Sequence, residues 1–117
     1  MIPVPPGVRI LLAAQPVDFR KGMDGLAALV QQALQADPFA GDVFIFRAKR
    51  ADRVKLLVFD GSGLALYSKR LEVGRFCWPS PAAGVVRLSA AQLATLLEGL
   101  TWNRLQSRPV RRPSTAW

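Results

Sequence analysis

The chain has 117 residues, half of them hydrophobic, with one cysteine and no histidine. That length suits one domain with its own core. The composition excludes a disordered chain, an internal disulfide and catalysis through an imidazole base. A formal net charge of +8 and a pI near 11.1 point to a polyanionic partner, nucleic acid before membrane. No apolar run is long enough to span a bilayer, and residues 2–7 make a poor signal peptide, so a cytoplasmic protein without a membrane partner is expected.

Residues 2–7 are proline-rich and read as extended, and Val8 to Ala13 reads as a first strand ended by Pro16. Met23, Leu26, Ala27, Val30, Ala33 and Leu34 recur at the spacing of one buried helical stripe, and Asp37-Pro38 stops that helix. Asp18 or Asp24 is placed to cap it. Val43 to Leu71 then holds three apolar runs. Val43 to Phe46 is apolar on both faces, as a covered strand should be. Arg53 to Phe59 sets Val54, Leu56 and Val58 on one face and Lys55, Leu57 and Phe59 on the other. Asp60-Gly61-Ser62-Gly63 supplies a hairpin turn, and Leu64 to Leu71 returns.

After Gly74, Arg75 to Trp78 reads as a short extended piece, with Cys77 a small buried residue, and Gly84 to Leu88 as another strand. Ser89 and Gln92 form a capping box for a second helix. Leu93, Leu96, Leu97 and Leu100 form its apolar side, and Gly99 its C-cap. The order predicts an α+β fold with a mostly antiparallel sheet, a central three-stranded meander and two helices packed on one face. Residues 1–102 form that single domain. Residues 103–117, with Arg104, Arg108, Arg111 and Arg112 and no acid, read as a basic disordered tail.

The eight acids are scattered, and most have a local turn, cap or ion-pair role available. No group of two or three carboxylates suits a metal-dependent nuclease, so no catalytic residue, metal or cofactor is assigned. The Asp60–Gly63 stretch lacks the ending of a P-loop and leads into a strand, so it is a turn. The basic residues carry the signal. Arg47, Lys49, Arg50, Arg53, Lys55, Lys69, Arg70 and Arg75 belong to one supersecondary unit, and a meander can gather them at one sheet end. Arg20 and Lys21 precede a helix N-terminus, where phosphate is attracted. These ten residues are the candidate nucleic-acid-binding set. The competing reading is that charged loops keep the sheet soluble and its edges unpaired. No sequence-reading module is visible, so contact through phosphates is expected without base readout.

Pro16-Val17-Asp18-Phe19-Arg20-Lys21-Gly22-Met23-Asp24-Gly25-Leu26 resembles the opening motif of the TnpB accessory proteins, the second-open-reading-frame products, of IS66-type insertion sequences. These are distinct from the RNA-guided nucleases that share the TnpB name. The likeness continues through Asp37-Pro38-Phe39, Phe44-Ile45-Phe46-Arg47, Asp52-Arg53-Val54-Lys55-Leu56 and Asp60–Gly63. It takes in Lys69-Arg70-Leu71-Glu72, Gly74-Arg75-Phe76, Trp78-Pro79 and Leu97-Glu98-Gly99, and so covers Val8 to Trp102. Val58-Phe59 departs from a usual tryptophan pair, and Asp42 stands where histidine is common. The resemblance implies an accessory role in DNA transposition beside a separate DDE transposase, with DNA and that transposase as partners. The alternative is a protein–protein adaptor of the transposase without direct DNA contact. A metal-dependent nuclease is the third reading, and the scattered acids speak against it.

Overall fold

The computed structural model describes residues 7–102; the proline-rich start and the arginine-bearing tail lie outside them. Five strands form one sheet: β1 (Ile10–Ala13), β2 (Val43–Arg47), β3 (Arg53–Phe59), β4 (Leu64–Arg70) and β5 (Val85–Leu88). Their order is β4-β3-β2-β1-β5, and every neighbouring pair is antiparallel except β1 with β2. Helix α1 (Met23–Gln32) makes the crossover between those parallel strands, and α2 (Ala90–Leu97) follows β5. The α+β class and the meander β2-β3-β4 are as the sequence indicates.

The helices do not share a face. Leu26, Ala27 and Val30 of α1 pack with Ala13, Phe44, Phe46 and Leu57 on one side of the sheet. Leu93, Leu96 and Leu97 of α2 pack with Ile10, Leu12, Val43, Ile45, Val54 and Leu56 on the other, joined by Phe76 and Trp102. The reason is in the strands. β1 and residues 43–46 of β2 are apolar on both faces, so one covered face would leave the second set in water. Each such side chain removed from water contributes about 1.5–3 kcal/mol.

Local signals act where they stand. Ser89 accepts from the Gln92 backbone N–H at 3.0 Å while Gln92 accepts from Ser89 N–H at 2.8 Å, closing the capping box. Gly99, at φ +76°, turns the chain out of α2, and Leu100 is therefore exposed instead of continuing the apolar side. Helix α1 begins without a side-chain cap: its N-cap is Gly22, and Asp18 is engaged elsewhere. Arg75 to Trp78 forms no strand, and its backbone instead ties down a loop.

Candidate nucleic-acid interface

Because β1 and β2 run parallel, both end on the same side of the sheet. From there leave the connector Ala14–Gly22 to α1 and the loop Ala48–Asp52 to β3. The two segments are joined by the Val17 N–H donating to the Arg47 carbonyl at 2.8 Å. β4 also ends here, with Arg70 directly opposite Arg53 and Lys69 opposite Val54. The basic loop is anchored from behind. Leu71 N–H donates to the Asp52 carbonyl, and the Phe76 N–H and Trp78 indole both donate to the Ala51 carbonyl, at 2.9 and 3.2 Å. Phe76 is buried, and the Trp102 indole donates to the Cys77 carbonyl at 2.6 Å, so the anchor is itself part of the core. Sequence reasoning missed this framework. Its only sequence signal was the aromatic pair Phe76 and Trp78 held between Gly74 and Pro79.

The ten candidate cations gather at this end, but strand alternation sends them to different tasks. Lys55 faces the α1 side, where its Nζ donates to the carbonyls of Phe19 and Lys21 at 2.8 and 3.1 Å and sits 5.0 Å from the centre of the Phe19 ring. Lys69 faces the α2 side and donates to the Leu97 carbonyl at 2.7 Å, where the last turn of the helix favours a cation. The Arg47 guanidinium lies 5.5 Å over the Trp78 ring, and burial pushes its pKa below the usual arginine value. An arginine still keeps its charge there.

The other cations line the surface. Arg20 holds the Asp18 carboxylate through Nε and Nη2, the shortest contact being 2.7 Å, and its backbone N–H donates to the same group. Those hydrogen bonds bring the Asp18 pKa down to about 2 and raise that of Arg20. Arg50 and Arg53 lean on Asp52 at 3.5 and 3.8 Å, and Asp52 Oδ1 and Arg53 Nε are buried without a hydrogen-bond partner. Arg70 meets Glu72 at 3.4 Å in water, a pairing worth little. Lys21, Lys49 and Arg75 are exposed and make no ion pair among the described residues.

Two adjoining clefts open among these side chains. The larger, about 450 Å³, has Pro16, Val17, Phe19 and Ala48 as its apolar lining, with Asp18, Arg20, Lys49, Arg50 and Arg53 around them. The smaller, about 210 Å³, shares Phe19 and Arg53 with it and adds Lys55, Ser68, Lys69 and Arg70. Arg75 and Lys21 lie outside both linings. Among the described residues no three of His, Cys, Asp and Glu gather where they could hold one metal ion. No helix there is long and apolar enough to cross a membrane. Among the described residues the arrangement gathers cations around two clefts and groups no carboxylates.

Comparison with known proteins agrees with the resemblance read from the motifs. The family model described as "IS66 Orf2 like protein" matches residues 8–107. Among curated proteins, the uncharacterized protein y4jC of Sinorhizobium fredii is 50% identical over 108 residues, covering 92% of each chain. The uncharacterized protein y4hO of the same organism is 38% identical over 117 residues, covering 100% of this chain and 95% of its own. No solved structure matches.

Proposed function

The chain belongs to the family of IS66 Orf2-like proteins, which implies an accessory role in transposition, and we propose that it fills that role without catalysis, by binding DNA phosphates at the β1–β2 end of its sheet. One observation carries this reading: Arg20, Lys49, Arg50, Arg53 and Arg70 line two adjoining clefts on strands and loops tied together by backbone hydrogen bonds. A rigid cationic surface binds phosphates without first ordering itself, so little conformational entropy is lost on contact. Lys55, Lys69 and Arg47 serve the same surface by holding its connector, helix end and anchor in place. The separate DDE transposase of the element is the proposed protein partner, engaged on shared DNA.

If about six phosphates are neutralised, the logarithm of the duplex binding constant falls with the logarithm of salt at a slope near −5. Titration of transposon-end and random duplexes from low to moderate salt measures it. Absence of any salt-sensitive binding would sink the reading. Retention of the transposase by a variant lacking these cations, in nuclease-treated lysate, would make the protein an adaptor instead.

A further inference from the structure

Seven of the ten candidate cations at this end line a pair of adjoining hollows. That shape bears on the form of DNA it takes. Duplex DNA is read by pushing a convex element into a groove, because the faces of its bases are stacked out of reach and only their edges show. Here the converse surface is present. The larger cleft combines apolar residues that are buried or half-buried (Pro16, Val17, Phe19, Ala48) with the cations Arg20, Lys49, Arg50 and Arg53, and its one carboxylate, Asp18, is held by Arg20. Its volume falls within the range of sites that take a single small molecule, about 300–1,000 Å³. An apolar floor inside a cationic rim is complementary to an unpaired nucleotide, whose base has apolar faces and whose phosphates stay in water. The shared members Phe19 and Arg53 carry the surface on into the second cleft, which Arg70 also lines.

Resting on the DNA-binding reading above, we propose that the site takes unpaired nucleotides of single-stranded DNA: a base enters the larger cleft against Phe19, and flanking phosphates lie on Lys49, Arg50, Arg53 and Arg70. This is the combination of a positively charged track and an aromatic contact by which single strands are held without sequence readout. Lys55, fixed over the Phe19 ring, keeps that ring in position.

The test is fluorescence anisotropy of the full chain, at one moderate salt concentration, with three labelled probes. They are an oligothymidylate of about 20 nucleotides, long enough for such a site, an abasic strand of equal length, and a blunt duplex of equal length. The thymidylate strand is expected to bind at least about fivefold more tightly than the abasic strand, since one base–aromatic contact accounts for roughly 5- to 100-fold, and more tightly than the duplex. Phe19→Leu, which keeps apolar volume, should bring the ratio of thymidylate to abasic binding close to one, and Phe19→Trp should restore it. Thermal melting verifies that both variants fold, and the abasic comparison on the unaltered chain stands without them. Equal binding of thymidylate and abasic strands, or tighter binding of the duplex, overturns the proposal while leaving DNA binding intact. Failure of all three probes to bind overturns the DNA reading itself. Tighter binding of a ribo-oligonucleotide of the same base would overturn the assignment to DNA.

Discussion

The two ends of the sheet teach the same lesson from opposite sides. At the end holding the β3–β4 turn, each acid is consumed by local geometry. Asp60 accepts from the backbone N–H groups of Ser62 and Gly63 and from the Ser62 hydroxyl, and these bonds lower its pKa. Asp37 accepts from the Phe39 N–H, and Asp42 from the Arg9 backbone and guanidinium, the closest approach being 2.7 Å. At the β1–β2 end Lys55 and Lys69 are consumed in the same way and Arg20, Arg50, Arg53 and Arg70 meet acids, while Lys21, Lys49 and Arg75 make no ion pair among the described residues. Charge by itself does not mark a site.

The difference between the ends can be broken most severely through the anchor. Phe76→Ala removes a buried ring beneath the basic loop and should cost about 3–5 kcal/mol of stability. Chemical denaturation measures it, and a loss under about 1 kcal/mol, the ordinary cost of a point change, would show that the loop does not depend on this core.

Replacing Lys49, Arg50 and Arg70 together by alanine, with Arg53 kept beside the Asp52 carboxylate, should leave melting nearly unchanged. It should weaken DNA binding roughly 100-fold at moderate salt and flatten the salt slope by about 0.9 for each phosphate that is no longer neutralised. The matching control at the far end, Asp60→Asn, should leave DNA affinity where it was. Equal effects from both ends would remove the contrast.

Within the basic end, Lys69→Met should cost about 1–2 kcal/mol because the Leu97 carbonyl is deprived of a charged donor. Lys49→Met, on an exposed residue, should stay within about 0.5 kcal/mol. Equal melting temperatures for the two variants would contradict the division into holding and surplus cations.

The smallest effect concerns Asp18, exposed and held by Arg20. Its folded pKa of about 2 lies below its ordinary value of 3.8, so the linked stabilisation is present above 3.8 and is lost as pH falls through about 2. A carboxyl titration followed by NMR should show that midpoint, and Arg20→Ala should return it towards the ordinary carboxylate range.

Much of the fold was legible from the sequence because its signals are short-range. The Asp60–Gly63 turn, the Ser89–Gln92 box and the alternation of β3 each involve residues a few positions apart and act in the structure as read. The α1 stripe holds for Leu26, Ala27 and Val30 but leaves Met23 exposed, and the helix ends at Gln32, before Asp37-Pro38. The site was legible in part. Clustering of cations followed from strand lengths, and the pairing of Arg53 with Arg70 gives it its register. The failed cap at Asp18 shows where local reading stops: an arginine two residues on offers a carboxylate more than a backbone N–H does.

By itself, then, the sequence determined the meander, both helices and a strongly cationic surface, since composition and near-neighbour spacing suffice for these, and its motifs carry the resemblance to the family. Tertiary structure alone decided that the helices cover opposite faces, that β1 enters between β2 and β5, and that Phe76, Trp78 and Trp102 brace the basic loop. It alone separated Lys55 and Lys69 from the surface cations. The physical reason is separation along the chain. Lys55 bonds residues 34 and 36 positions away, and Lys69 one 28 away. Which carbonyl lies within reach is set by how the sheet and helices pack, not by any pattern around the lysine.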